Sequence, residues 1–421
     1  MTALVVLMNK KGAAVAADRA VTITDERGSA RVRDGFRKLF ELVPGRPISM
    51  MIYNNAEIMG HSWDPIIVRY ARHARDRVFS TVAEVAEDFI RYLEQSHELF
   101  PEPAQREHFT EHLKLFYAAV RLESEEILRE ARASGHGPQT MAEAAGIAAG
   151  RLHDQLTLDQ HDQPMPYLSG FDETFGRSLA DTYRDEISTL LAAFFADLDL
   201  DKKTLAKLRQ IAALSVIANF FPHGLPMTGI VFVGFGADQY TPQLVSYDVQ
   251  GLFLNKLRRR MTVNRTISAE EPVVIQPFAQ DRMLRTMLFG IDPALPDYLM
   301  GELSALIEGT RDNLLHSLPS LSADAKRDLA DFLSEDYISD MWDVFLDRLR
   351  DYVYRQYTHP IFMSVASLPE PHLADAAENM VRITAFQQDV SGALPTVGGG
   401  IDVALLTSER FSWVKRAEIK S

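Results

Sequence analysis

Apolar residues fall into continuous short runs at the two ends and middle of the chain and into helically spaced stripes between them. Ala3 to Met8 and Ala13 to Ala17 are runs of small and β-branched residues, separated by the polar Asn9-Lys10-Lys11-Gly12. That pattern predicts a hairpin whose glycine accepts positive φ. A third run, Ile48 to Tyr53, follows the turn-forming Val43-Pro44-Gly45-Arg46-Pro47. Continuous rather than alternating apolarity predicts strands covered on both faces. From Trp63 to about Asn219 the spacing becomes helical, as in Val82, Val85, Ala86, Phe89, Ile90 and Leu93. Breaks are predicted at Pro101-Glu102-Pro103, at Ser134-Gly135-His136-Gly137-Pro138 and around Asp162-Gln163-Pro164-Met165-Pro166. Strands return at Gly229 to Gly236, Gln243 to Asp248 and Val273 to Gln276. A second helical block covers about Asp281 to Gln387, with interruptions near Asp292-Pro293, Ser317 to Ser320 and Tyr357 to Pro360. A Gly-rich turn, Val397-Gly398-Gly399-Gly400, then leads into a closing hairpin of Ile401 to Leu406 and Phe411 to Lys415. Helical blocks cannot sit inside a sheet, so strands from both ends of the chain are expected to share a sheet system with helices outside it, an α+β arrangement.

With 421 residues, the chain exceeds the size at which one core usually stops growing, which predicts two domains or one with large insertions. Acidic side chains outnumber basic ones, 58 to 44, giving a formal charge of −14. That balance repels a phosphate backbone and an anionic lipid surface, so neither nucleic acid nor membrane is an expected partner. The absence of Cys excludes disulfides, thiolate catalysis and Cys-based metal sites. The apolar start, Met1 to Leu7, reaches Asn9-Lys10-Lys11 too soon for a signal peptide, and the expected location is the cytoplasm.

The chemistry begins at residue two. Removal of Met1, which a small second residue permits, leaves a threonine whose own α-amine lies beside its hydroxyl. With a reference pKa near 7.7–8.0, that amine is a base poised next to a nucleophile. The segments Thr2-Ala3-Leu4-Val5-Val6, Ala14-Val15-Ala16-Ala17-Asp18-Arg19-Ala20-Val21-Thr22 and Phe36-Arg37-Lys38-Leu39-Phe40 together resemble the opening of proteasome β-type subunits and their bacterial relatives. The similarity extends to Ile52 through Gly60, to Gly229–Gly236 with Pro242–Gly251, and to Gly398–Leu406.

The resemblance implies a four-layer αββα sandwich of the N-terminal-nucleophile (Ntn) hydrolase type, carrying two long helical insertions. Core segments would be residues 1–99, 220–291 and 366–421, with insertions at 100–219 and 292–365. It implies Thr2 as nucleophile, Lys38 as the cation that keeps the threonine's proton affinity low, and Asp18 as the residue that orients the lysine and holds its charge. Without that carboxylate, a desolvated lysine would tend to lose its proton. Asn54 falls where the family has a glycine whose backbone N–H faces the oxyanion. The activity implied is cleavage of peptide or amide bonds in a self-compartmentalising homo-oligomer, with peptide or protein substrates and room for an AAA+ unfoldase. No metal or organic cofactor is required. Three features depart from the family. The stretch from Asp18 to Lys38 is a few residues longer. No serine stands near Phe278-Ala279-Gln280-Asp281. In place of a late Asp-x-x-Ser-Gly element the chain has Leu394-Pro395-Thr396-Val397, with Asp389 and Ser391 upstream. A catalytically silent scaffold is the alternative these departures favour.

Other residues carry competing expectations. His108-Phe109-Thr110-Glu111-His112 fits the H-x-x-E-H spacing of a zinc peptidase helix, with Glu125 or Glu126 as third ligand, or else an exposed charged helix. Arg258-Arg259-Arg260 reads as a solvated helix end, or a dock for an acidic partner. Phe194, Phe195, Phe220 and Phe221 read as core or subunit-contact residues, and the three glycines at 398–400 as a turn rather than a phosphate loop.

Overall fold

A computed structural model describes residues 3–24, 30–33, 35–159, 163–222, 224–317, 322, 324, 335–390 and 399–417. In chain order the strands are β1 (Ala3–Asn9), β2 (Gly12–Asp18), β3 (Val21–Thr24), β4 (Ala30–Arg33), β5 (Leu39–Glu41), β6 (Ile48–Asn54), β7 (Glu57–Ile58), β8 (His61–Ser62), β9 (Thr228–Gly234), β10 (Gln243–Phe253), β11 (Lys256–Thr266), β12 (Val273–Ala279), β13 (Ile401–Leu406) and β14 (Phe411–Lys415). The helices are α1 (Trp63–His73), α2 (Val82–Gln95), α3 (Glu102–Ser134), α4 (Met141–Thr157), α5 (Glu173–Thr182), α6 (Arg184–Phe195), α7 (Lys202–Ile217), α8 (Arg282–Phe289), α9 (Leu295–Ser317), α10 (Glu335–Val353), α11 (His359–Ser367) and α12 (Glu370–Val390). The protein is mixed α+β with antiparallel sheets, and its contacts divide it into two units.

The first unit comprises Met1–Lys38 and Ile267–Ser421. Its five-stranded sheet has the order β12-β1-β2-β13-β14, so strands from both ends of the chain share one sheet. On one face Ala3, Val5, Leu7, Ala14, Ala16 and Val403 pack with Leu373, Ala374, Ala377 and Val381 of α12. The small residues of β2 admit the helix closely. Gly12 lies within β2 and does not take the positive φ expected of the hairpin glycine; sheet geometry requires it instead, since a Cβ there would lie 2.6 Å from the Leu406 carbonyl oxygen of β13. Asn9 ties β1 to the end of α11 by donating to the Val365 and Leu368 carbonyls at 3.0 and 3.1 Å.

The second unit, Leu39–Thr266, holds a sheet of order β11-β10-β9-β6-β5. Its Met50, Ile52, Ile230 and Phe232 bury against Ile66 and Tyr70 of α1 and Val82, Val85 and Phe89 of α2. Thr81 caps α2 by accepting from the Glu84 N–H at 3.2 Å. A separate apolar core lies among α3 to α7, where Phe109, Tyr117, Tyr183, Leu208 and Ile211 meet, and includes Phe253 of β10. Phe195 belongs to this core, with Phe194, Phe220 and Phe221 packed at its margin.

Tyr53 of β6 lies directly over its cross-strand partner Gly229, where a Cβ would fall 1.9 Å from the ring. The bare glycine lets the phenol reach Asp248, to which it donates at 3.2 Å. Gly229→Ala is therefore expected to displace the ring and cost about 1–3 kcal/mol, seen as a lower denaturant midpoint with the slope unchanged.

Two further expectations are corrected. Arg258-Arg259-Arg260 lies in β11, not at a helix end, because each side chain has an internal partner. Arg258 is fully buried, Arg259 pairs with Glu87 at 2.9 Å and Arg260 with Asp248 at 2.9 Å. The break expected at Tyr357 to Pro360 is instead a π-helical turn, Tyr354–Thr358, running into α11; Pro360 sits in that helix's first turn, where no N–H is needed. The longer connection between Asp18 and Lys38 contains the β3–β4 ribbon. The expected turns at Asp162, Leu318–Ser320 and Val397-Gly398 involve residues outside the described ones.

Candidate active site

Antiparallel pairing brings four strand ends together in the first unit. Ala3 opens β1 opposite Ala279, which closes β12, while Asp18 closes β2 opposite Ile401, which opens β13. Asp18 is buried there, and its Oδ1 accepts two hydrogen bonds: from the Ala3 N–H at 3.0 Å and from the Lys38 ammonium at 2.8 Å. Its Oδ2 accepts from the Ala20 N–H at 3.2 Å. Lys38 is also buried and donates to the Ala20 carbonyl at 2.5 Å. Both charges are thus desolvated and satisfied, the arrangement in which an ion pair is rigid. Phe36 N–H donates to the Arg19 carbonyl at 3.2 Å, returning the chain from the β3–β4 ribbon so that Lys38 meets Asp18.

Of the residues assigned by resemblance, the structure brings Asp18 and Lys38 into direct contact at the amide that joins Thr2 to Ala3. Thr2 itself lies outside the described residues. Asn54 belongs to the second unit, where it ends β6 with a left-handed φ of 67° and an exposed side chain. Asn is among the few residues that tolerate this conformation. The serine-free segment at 278–281 adjoins the same end of the first unit's sheet: Phe278 and Ala279 finish β12, and Gln280 accepts from Gln388 of α12 at 2.5 Å. Asp281 pairs with Arg285 at 2.6 Å. Asp389 ends within α12, and Ser391 and Leu394-Pro395-Thr396-Val397 lie outside the described residues.

A second buried ion pair escaped the sequence reading. Arg19 Nε donates to Asp402 Oδ2 at 2.8 Å, and Asp402 Oδ1 accepts from the Ala417 N–H at 2.9 Å. Its only sequence signal was the adjacency of Arg19 to Asp18; nothing local distinguishes Asp402 from a solvated strand residue.

The histidine pair builds core. His112 Nε2 hydrogen-bonds the Ser215 carbonyl at 3.1 Å, and both imidazoles pack on Phe253 with centroids 5.1 and 5.3 Å away. Burial, with the Arg258 guanidinium as the second cause, pulls His108 down to about 4 and His112 well below the usual histidine range. Glu125 and Glu126 are side-chain partners of Arg121 and Arg129 on the same helix. Among the described residues no group of three or more His, Asp or Glu is placed to hold a metal ion, and no helix is long and apolar enough to cross a membrane. Comparison with protein-family models and with curated proteins gives no match for this chain.

Proposed function

We propose that this chain is an Ntn hydrolase that cleaves peptide or other amide bonds with Thr2 as nucleophile. The observation that carries the reading is the Asp18 carboxylate, which bridges the Lys38 ammonium and the amide joining Thr2 to Ala3. A buried cation is thereby held one residue from the proposed nucleophile, and at an effective dielectric near 20 a charge about 4 Å from an alkoxide stabilises it by roughly 4 kcal/mol. In the reaction, Thr2 Oγ attacks the scissile carbonyl while the α-amine takes the hydroxyl proton and then passes it to the leaving amine. Water, deprotonated by the same amine, hydrolyses the ester and restores the threonine. The Asn54 amide is the proposed oxyanion donor. The proposed fold is the four-layer sandwich, supported by sheets whose strands β1, β2, β9 and β10 are buried along their whole length while the helices cited above account for one face. A self-compartmentalising homo-oligomer acting on peptides or proteins completes the reading.

Intact-mass analysis of the native protein tests it. The expected result is loss of Met1 and a covalent adduct on Thr2 after exposure to an epoxyketone, which requires both the free amine and the hydroxyl. A retained Met1 would instead support the catalytically silent scaffold, the second reading, which the hydroxyl-free segment at 278–281 favours.

A further inference from the structure

Three consecutive residues build the cradle that holds the Lys38 ammonium. Asp18 accepts from it at 2.8 Å and the Ala20 carbonyl at 2.5 Å. Arg19 stands between them, and its own carbonyl accepts from the Phe36 N–H at 3.2 Å, two residues before the lysine. The placement of residue 19 therefore sets both walls of the cradle and the path by which Lys38 enters it. Strand pairing does not fix that placement, because the β2–β13 ladder ends at Asp18 opposite Ile401.

The Arg19 side chain does. It is buried, and its Nε donates to Asp402 Oδ2 at 2.8 Å. Asp402 stands opposite Ala17 in the same ladder, and successive strand residues alternate, so the pair lies on the face of the sheet opposite to the Asp18 carboxylate. Asp402 is fixed in turn by the Ala417 N–H at 2.9 Å. Gly400 makes room for that contact: a Cβ there would fall 2.2 Å from the Ala417 Cβ and 3.8 Å from Arg19 Cδ. Two desolvated charges held in this way have little freedom to rearrange.

We infer that Arg19 and Asp402 are positioning residues, a clamp that grips the cradle from the far face of the sheet and holds the Lys38 ammonium in place beside the proposed nucleophile. The catalytic consequence rests on the amidase reading; the coupling of the pair to Lys38 does not.

Two measurements on the full chain test the clamp, both with variants that leave no buried charge unpaired. In peptide hydrolysis, Arg19→Met/Asp402→Asn is expected to lower kcat about tenfold with KM unchanged, since it loosens the cation without altering what binds substrate. Arg19→Lys, which keeps a cation against Asp402, is expected to recover most of that loss. In urea unfolding, Arg19→Met/Asp402→Asn is combined with Asp18→Asn/Lys38→Met. The two effects on the unfolding constant are expected to depart from simple multiplication by about tenfold, as coupled groups do. A folded Arg19→Met/Asp402→Asn protein with wild-type kcat overturns the proposal, as do unfolding effects that multiply. A wild type without Thr2-dependent hydrolysis refutes the amidase reading alone, and the unfolding cycle then decides whether the clamp acts on Lys38.

Discussion

Lys38→Met is expected to remove amidase turnover, as Thr2→Ala does, and unlike Thr2→Ala to destabilise the protein by about 3–5 kcal/mol. The stability loss follows from burial. Asp18 would be left desolvated with no cation, and removing one member of a buried pair costs more than the pair contributes. Asp18→Asn separates charge from shape, because an amide oxygen still accepts from Ala3 N–H while no longer holding the lysine as an ammonium. A fall in kcat of about 100- to 1,000-fold is expected, the size of losing one preorganised electrostatic group. The double variant Asp18→Asn/Lys38→Met returns a neutral pair to the site and should recover most of the lost stability while recovering no activity. Urea denaturation and hydrolysis of a fluorogenic peptide read the two quantities independently. If Lys38→Met lowered stability but left turnover intact, the pair would be a structural clasp and the proposed chemistry would fail.

How far this site was legible in the chain depends on the range of the signal. The strands β1, β2, β6, β13 and β14 were readable because runs such as Leu4-Val5-Val6-Leu7 have one local solution. The Asp18–Lys38 contact was reachable through resemblance alone, since the β3–β4 ribbon between them hides their proximity from any spacing argument. β11 was missed because it is a largely exposed edge strand, whose sequence, Lys256-Leu257-Arg258-Arg259-Arg260, offers almost no apolar signal. Its arginines are held by partners outside the strand: Glu87 on α2, Asp248 on β10 and the carbonyls at the end of α7. The same cause concealed Arg19–Asp402, a pair 383 residues apart. The H-x-x-E-H spacing misled in the opposite direction, because a motif of local spacing is silent about which face of α3 meets the core.

That face of α3 is expected to make the second unit acid-sensitive. Arg258 is fully buried, and among the described residues no carboxylate pairs with it. It donates instead to the carbonyls of Val216, Ala218 and Phe220 at 2.8, 3.1 and 2.7 Å, and to Gln250. These carbonyls lie in the last turn of α7 and just beyond it, where the helix dipole favours a cation. Its ring neighbour is Phe221, with the guanidinium 4.3 Å from the centroid, and Arg260 lies over the same ring at 4.4 Å. His108 and His112 both feel the charge of this guanidinium, so protonating either adds a second cation where, among the described residues, no carboxylate pairs with the first. The folded His108 titrates at about 4, against about 6.5 when unfolded. Between those values the unfolded chain binds protons that the folded chain refuses, so stability is complete above about pH 6.5 and falls as pH drops toward 4. His108 alone accounts for a loss of about 2 kcal/mol at pH 5, and His112 acts in the same direction. His108→Leu, which also removes a buried Nε2 that lacks a hydrogen-bond partner, is expected to flatten the dependence and to exceed wild type in stability at pH 5. Arg258→Met should cost about 3–5 kcal/mol at pH 7.5 by stranding three carbonyls, and less at pH 5, because it also relieves the repulsion that helps depress the histidines. Urea midpoints at pH 7.5 and 5 distinguish these outcomes. Equal acid slopes in wild type and His108→Leu would show that the lost stability resides in other groups, and that the buried cluster is inert to protons.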